Sequence, residues 1–392
     1  MCTVSHTRAG EIYLDNAATT KPHPSVVESV TRALTVDYGN PSSLHGKGVA
    51  AERLVAEARE ALAWTLSVEP EDVLFTSGGT EANSLAIRGV GAPARGRHLI
   101  TTAVEHSSVR VPLQRLAAQG FDLTELPVDR HGRVSAAHVE QALRADTVLV
   151  SVMAVNNELG TVQPIGDIGR MLQRHRAAGG STLFHVDAVQ GWGKIALRPA
   201  AWSVDLMSLS GHKVHGPKGV GALYVRRGVP LAPQLGGGEQ ERSLRPGTEN
   251  VPGIAGLGVA ARLLATDFDE SVARMRTLAE RLREQIGTIP DARINTPQDG
   301  AAPHIVNATF GGVRGETLLH RLEQDGVFVS TGSACHSHNP TPSHVLLAIG
   351  LSTADAQSTL RLSVSRFTTT EEIDAAAVAL HHAVAELRAL VR

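Results

Sequence analysis

The sequence predicts an α/β fold with a mostly parallel sheet covered by helices. Apolar segments of strand length alternate with helical segments over residues 72–225, and this alternation is typical of a parallel sheet. Small residues and glycines follow several of these strands, which indicates ligand-binding loops at the carboxyl ends of the strands. The chain has 392 residues, 42% of them hydrophobic and 19% charged, so we expect a soluble globular protein of two or three domains.

The composition argues against several classes of function. A net charge of −2 provides no basic field for nucleic acid, and 3% aromatic residues leave few side chains for stacking bases. No apolar run approaches the ~20 residues of a membrane span, and the N-terminus lacks an apolar signal core, so we expect a cytoplasmic protein. Two cysteines, Cys2 and Cys335, favour chemistry at one of them over a disulfide scaffold.

The N-terminal segment is expected to enter a ligand site. Residues 12–20 predict a short strand and a loop, in which Ala17 and Ala18 would let a ligand approach the backbone; a plain turn is the alternative. Helical periodicity follows over residues 24–34 and 49–66.

The remaining elements follow from periodicity and from turn residues. We expect strands at 72–76, 98–102, 147–154, 183–186, 204–207, 221–225, 305–310 and 327–330, and helices at 165–175, 267–286, 315–322 and 370–390. We expect an N-terminal segment (1–14) associated with a small domain, a large domain (15–260) and the small C-terminal domain itself (261–392).

A glycine-rich turn follows the strand at 72–76. Its sequence, S-G-G-T-E-A-N, opens a helix whose free N–H groups could bind a phosphate around Gly79 and Thr80. The turn lacks the Lys-Ser/Thr ending of a nucleotide P-loop, so taken alone it is a weak signal.

A carboxylate and a lysine follow two later strands. Asp187 ends the apolar strand at 183–186, and Lys213 lies in S-L-S-G-H-K-V-H-G-P, where a buried strand runs into a glycine-rich turn. Partial desolvation lowers the pKa of a lysine, and a neutral amine can form a Schiff base with an aldehyde. A carboxylate at a strand end can pair with a protonated pyridine nitrogen, which is the combination that pyridoxal phosphate requires. A helix N-cap and a surface lysine are the alternatives.

These segments together resemble a known family. H-V-D-A-V-Q, S-G-H-K-V-H-G-P-K-G, T-S-G-G-T-E, V-N-N-E-L-G, R-P-G-T-E-N and G-S-A-C-H-S are similar to segments of fold-type I, class V aminotransferase-like enzymes, in particular the cysteine desulfurase and selenocysteine lyase branch. The resemblance extends from Tyr13 to about Arg366. It implies pyridoxal 5'-phosphate as cofactor, a seven-stranded sheet in the large domain, a smaller α+β C-terminal domain and a homodimer with shared active sites.

The resemblance also implies roles for individual residues. His106 would stack on the cofactor and move protons, Arg361 would grip the substrate carboxylate, and Thr248 would reach the phosphate in the neighbouring subunit. Spacing leaves open which of two adjacent asparagines faces the ligand, and the resemblance favours Asn157. The full expected set is catalytic Lys213, Cys335 and His106; cofactor-binding Gly79, Thr80, His106, Asn157, Asp187, Gln190, Ser210, His212, Lys213 and Thr248; and substrate-binding Asn16, Ala17, Asn157 and Arg361.

Cys335 lies in a polar segment with glycine and prolines, G-S-A-C-H-S-H-N-P. Neighbouring histidines could stabilise its thiolate, and the sequence leaves open whether His336 or His338 does so. A buried structural cysteine is the common alternative, whereas a zinc site lacks the further cysteines it needs, so we expect no metal.

The leading hypothesis is a cysteine desulfurase that converts L-cysteine to L-alanine. Sulfur would pass to Cys335 as a persulfide and then to an acceptor protein in iron–sulfur cluster, thio-cofactor or thiolated-product assembly. A selenocysteine lyase, an aminotransferase and a non-catalytic scaffold of the same fold are the alternatives.

Overall fold

The computed structural model describes residues 10–331 and 342–391. Strands are β1 Ile12–Tyr13, β2 Val73–Thr76, β3 His98–Thr102, β4 Asp122–Leu126, β5 Thr147–Met153, β6 Leu183–Asp187, β7 Leu206–Ser210, β8 Gly221–Val225, β9 Ala292–Ile294, β10 Ile305–Phe310, β11 Val327–Phe328 and β12 Thr359–Ser363. Helices are α1 Pro24–Thr35, α2 Gly46–Leu66, α3 Gly79–Gly91, α4 Ser107–Ala117, α5 Ala136–Ala142, α6 Ile165–Ala177, α7 Val251–Thr266, α8 Phe268–Gly287, α9 Gly315–Gln324, α10 His344–Ala348, α11 Thr353–Gln357 and α12 Thr370–Val391.

The main sheet has seven strands in the order β2-β8-β7-β6-β5-β3-β4. Strand β8 runs antiparallel to β2 and β7, and the other pairs are parallel. The predicted α/β class with a mostly parallel sheet is therefore confirmed. Because β5, β6 and β7 are parallel neighbours, their carboxyl ends lie side by side at one edge of the sheet.

Two smaller sheets are formed by the N-terminal and C-terminal parts of the chain. β10 pairs antiparallel with β12 and β9, and β1 pairs parallel with β11. Leu14 packs in a core with residues of α8, β10, β12 and α12, which ties the N-terminal segment to the C-terminal part of the chain. A separate core joins the main sheet to α2 and α7. The change between the two cores falls between Leu264 and Met275, a few residues beyond the predicted domain boundary at residue 260.

Local chemistry explains how α3 begins. Gly78 has φ of 151°, a backbone conformation that favours glycine, and it is the N-cap of the helix. A Cβ on Gly79 would lie 2.6 Å from Cγ2 of Val189, so the first helical residue is glycine where the helix approaches the segment after β6. The helix N-terminus therefore lies against the carboxyl end of β6.

Some elements differ from the sequence-based expectation. Strand β7 covers residues 206–210 instead of 204–207, because it pairs in full with β8. Helix α4 was not predicted: Pro112 lies inside it and is normally a helix breaker. The small, apolar residues 251–264 form α7, whose buried face packs against α1 and α2.

Within the described residues, no single helix has the length and apolarity needed to cross a membrane. Helices α7 and α8 reach these criteria only when they are counted together, across a bend of 80°.

Candidate active site

A cavity of about 310 Å³ lies at the carboxyl ends of β5, β6 and β7, beside the N-terminus of α3. Eleven of the predicted site residues contribute to its lining, together with Ala18, Ser108, Met153 and Val189. The eleven are Ala17, Gly79, Thr80, His106, Asn157, Asp187, Gln190, Ser210, His212, Lys213 and Arg361.

Part of the cavity lining has the chemistry of a phosphate site. It includes the first residues of α3, whose N–H groups lack intrahelical partners, and the side chains of Thr80, Ser210 and His212. Burial, reinforced by the nearby Lys213 and Lys218, lowers the pKa of His212 to about 4, so its imidazole is neutral at pH 7. These groups fit the phosphate of pyridoxal phosphate.

Asp187 provides a buried carboxylate at the end of β6. Its Oδ2 accepts a hydrogen bond from Nδ2 of Asn83 at 2.9 Å, and its Oδ1 accepts one from the backbone N–H of Val189 at 3.0 Å. Both oxygens are oriented by the protein, and the side chain lines the cavity. Such a carboxylate fits a protonated pyridine nitrogen.

His106 lies at the N-terminus of α4 and lines the same cavity. Its Nδ1 contacts Oγ of Ser108 at 2.8 Å and accepts the backbone N–H of Ser108 at 3.1 Å. Burial lowers the pKa of His106; Asp187 opposes this effect and Lys213 adds to it. The imidazole is therefore neutral at pH 7 and available for proton transfer.

Lys213 ends a short 3₁₀ turn that follows β7. Its Nζ donates to the carbonyl oxygens of Ala17 and Ala18 at 2.7 and 2.6 Å. Gln190 Nε2 also donates to the Ala17 carbonyl, at 2.8 Å, and Gln190 Oε1 lies 3.2 Å from Nε2 of His304. The N-terminal loop thus holds the amine inside the cavity.

A second lysine lies behind the first. Lys194 is buried, and its Nζ donates to the backbone carbonyl of Lys213 at 3.1 Å. Burial, with smaller contributions from Arg366 and Lys213, lowers the pKa of Lys194 to about 7. Lys194 therefore orients the backbone that carries Lys213.

Arg361 reaches the cavity from β12 and is 3% exposed. Its Nη2 pairs with Oδ1 of Asp15 at 2.7 Å, and its Nη1 donates to the backbone carbonyl of Asn157 at 2.8 Å. A guanidinium held on two sides in this way can present its fork to a carboxylate.

The structure separates the two adjacent asparagines. Asn156 is fully buried; its Nδ2 donates to the Val104 carbonyl, and its Oδ1 accepts the N–H groups of Glu158 and Leu159. Its amide is therefore used to form the turn after β5. Asn157 lines the cavity, and it is the asparagine that the family resemblance favoured.

Three predicted site residues are not in this lining. Asn16 donates through Nδ2 to the carbonyls of Tyr13 and Ser363, so it braces the loop that carries Ala17. Thr248 is exposed on the surface of its own chain. Cys335 lies outside the described residues.

Sequence reasoning missed Asn83, Ser108 and Asp15. Asn83 lies four residues after Gly79, so both belong to the same side of α3, and this spacing was the signal that could have found it. The position of Ser108, two residues after His106, was the signal that could have found it. Asp15 had no local signal, because its partner Arg361 lies 346 residues away in the chain.

Residues 12–376 match the family model described as Aminotransferase class-V. The chain belongs to this family, and its fold and cavity agree with that membership. The chain is 42% identical over 379 residues to a protein of Methanosarcina thermophila named cysteine desulfurase IscS, covering 96% of this chain and 93% of that protein. It is 43% identical over 381 residues to a cysteine desulfurase of Nostoc sp., covering 97% and 94%.

Solved structures give the same result. A structure titled NifS-like protein has a TM-score of 0.90 and 37% identity, covering 96% of this chain and all of that one. A structure titled SspA in complex with cysteine has a TM-score of 0.81 and 37% identity, covering 91% of this chain and 100% of that one.

Proposed function

We propose that this protein is a pyridoxal phosphate-dependent cysteine desulfurase that converts L-cysteine to L-alanine. One observation carries the proposal: a lysine amine, a buried carboxylate, a neutral histidine and a guanidinium line one cavity at the strand ends. The names of the curated relatives and the cysteine bound by a solved neighbour support L-cysteine as the substrate. When bound, the cofactor supplies an electrophilic aldehyde and an electron sink.

Each side chain has a specific task in this proposal. The N-terminus of α3, with Thr80, Ser210 and His212, binds the cofactor phosphate, and Asp187 keeps the ring nitrogen protonated. Arg361 and Asn157 orient the substrate carboxylate. Lys213 and His106 remove a proton from the substrate α-carbon and return protons to the product.

The sulfur-transfer step requires a second thiolate. The thiolate of Cys335 attacks the substrate sulfur, the carbon–sulfur bond breaks, and a sulfur–sulfur bond forms on Cys335. The carbon that loses sulfur gains a proton, so L-cysteine and one thiol become L-alanine and one persulfide, without an external oxidant. Thiol exchange then passes the sulfur to an acceptor protein.

A homodimer with shared active sites belongs to the same proposal. Thr248 is exposed and does not line the cavity of its own chain, as expected for a residue that serves a neighbouring subunit. Leu34, Tyr38 and Leu44 are large, exposed apolar side chains, and such side chains are covered when subunits associate. The mass of the protein in solution, measured by light scattering, tests this part: a monomer would exclude it.

The decisive experiment compares the wild-type protein with Cys335→Ala and with the control Cys2→Ala. We expect wild type and Cys2→Ala to produce L-alanine from L-cysteine and to carry a persulfide detectable by mass spectrometry. We expect Cys335→Ala to carry none and to lose sulfur transfer. Alanine release from L-selenocysteine alone would instead establish the lyase, and an unaffected Cys335→Ala would exclude the proposed sulfur route.

A further inference from the structure

A hydrogen-bonded chain connects Asp187 to His106 across the wall of the cavity. Nδ2 of Asn83 donates to Oδ2 of Asp187 at 2.9 Å and to Oγ of Ser108 at 2.8 Å. Oγ of Ser108 lies 2.8 Å from Nδ1 of His106. The four side chains come from α3, β6, α4 and the N-cap residue of α4, and Asn83 is fully buried between them.

Chemistry sets the direction of each hydrogen bond. A carboxylate can only accept, so the amide nitrogen of Asn83, not its oxygen, must face Asp187. The same NH₂ group uses its second hydrogen on Ser108. The Oδ1 of Asn83 has no hydrogen-bond partner among the described residues. The amide therefore keeps this orientation for the two bonds that its NH₂ group donates.

The direction continues to the imidazole. The backbone N–H of Ser108 donates to Nδ1 of His106 at 3.1 Å, so Nδ1 carries no proton in the neutral ring. The Ser108 hydroxyl accepts from Asn83 and donates its own hydrogen to Nδ1. The ring proton is consequently on Nε2.

We propose that Asn83 and Ser108 are positioning residues that orient Asp187 and hold His106 in the Nε2–H tautomer. The inference rests on the proposed function, because it assigns the orientation of Asp187 and the tautomer of His106 for the proposed binding of cofactor and substrate. Neither residue is needed to contact the reacting atoms: Asn83 acts through Asp187, and Ser108 acts through His106. Burial lowers the pKa of His106, which is compatible with a neutral ring.

The test uses two adjacent serines in the holoenzyme. Ser108→Ala removes the hydroxyl from the chain, whereas Ser107→Ala removes an exposed hydroxyl and is the matched control. Protein labelled with ¹⁵N-histidine reports the tautomer of His106 by NMR, and His106→Gln assigns the signal. We expect the pure Nε2–H signal in wild type and Ser107→Ala. Ser108→Ala loses the shorter hydroxyl contact at 2.8 Å and keeps only the longer backbone contact at 3.1 Å, so we expect a fraction of the Nδ1–H tautomer to appear.

Turnover provides a second readout. Loss of one hydrogen bond predicts that kcat for L-cysteine falls about threefold to tenfold in Ser108→Ala, with little change in KM. Asn83→Ala should lower kcat similarly. Because Asn83 also donates to Ser108, the double variant should lose less than the two single losses combined. If Asn83→Ala does not fold, Ser108→Ala decides alone.

Three results would overturn the inference: an unchanged His106 tautomer with wild-type kcat in Ser108→Ala, an equal loss in Ser107→Ala, or additive losses in the double variant. The NMR measurement does not depend on turnover. A protein that does not desulfurate L-cysteine yet shows the expected tautomers would disprove the proposed function and leave the positioning chain standing.

Discussion

The two walls of the cavity hold their polar groups in different ways. The first, which we call the sheet wall, consists of Asp187 and His106 with their supports Asn83 and Ser108. Its members bond mainly to one another, side chain to side chain. The second, the loop wall, consists of the backbone after Asp15 and the guanidinium of Arg361. It bonds through carbonyls and one ion pair.

The two walls therefore differ in what the binding of a ligand requires of them. The sheet wall already points its carboxylate and imidazole, so binding does not require these groups to reorient. On the loop wall, the amine of Lys213 and the guanidinium of Arg361 are held by Ala17, Ala18 and Asp15, and a cofactor or substrate must share or replace those contacts. We therefore expect the sheet wall to control kcat and the loop wall to control KM.

Lys213→Ala should have the largest effect, because it removes the amine that the loop wall holds in the cavity and on which the proposed chemistry depends. The variant lacks both the amine that binds the cofactor aldehyde and a proton-transfer group, so we expect turnover to fall by at least about 10²- to 10⁴-fold. Steady-state production of alanine measures this. The exposed Lys21, which does not line the cavity, provides the control: Lys21→Ala should remain close to wild type, and comparable losses in both variants would refute the assignment.

Arg361→Lys tests the role of the loop wall in substrate binding. A lysine cannot pair with Asp15, bond to the Asn157 carbonyl and present a planar fork at the same time. We expect KM for L-cysteine to rise about tenfold to a hundredfold with a small change in kcat, since hydrogen bonds to charged groups are lost. Arg293→Lys, at an exposed ion pair on β9, should leave both constants unchanged. A loss confined to kcat would contradict the division between the walls.

Glu105→Gln should have the smallest effect, and on stability instead of catalysis. Glu105 is buried behind the sheet wall, where its Oε1 accepts from the N–H of Met153 and the hydroxyl of Thr102. Burial raises its pKa from 4.5 to about 8. Between these values the folded protein binds a proton that the unfolded chain has released, so this group makes stability fall as the pH rises.

The glutamine variant removes that titration while it preserves the accepting oxygen. Its free energy of unfolding should fall less than that of wild type between about pH 6 and about pH 8, by at most about 1.4 kcal/mol per pH unit. Urea denaturation at the two pH values measures the difference. Glu60→Gln, at an exposed position on α2, should keep the wild-type slope, and an equal slope for Glu105→Gln would show that the carboxyl is ionised throughout.

The predictability of the two walls from sequence also differs. Asp187 and Lys213 follow apolar strands, so their place at one sheet edge could be inferred from local pattern and from the geometry of parallel sheets. Arg361 was recognised by resemblance, but strand β12, which carries it, was not predicted. The exposed edge strand β4, D-L-T-E-L, was also missed, because too few of its residues are buried to produce a clear apolar pattern.

The sequence by itself determined the α/β class and the chemical types of residue at the strand ends. Hydrophobic periodicity, glycine-containing turns and buried strands can be recognised from neighbouring residues. Only the tertiary structure decided which asparagine faces the cavity, which carboxylate pairs with Arg361, and how Asn83 joins Asp187 to Ser108. The contact of Asn83 with Asp187 joins residues 104 apart, and that of Arg361 with Asp15 joins residues 346 apart. Such contacts depend on how helices and sheets pack, and no local pattern specifies that packing.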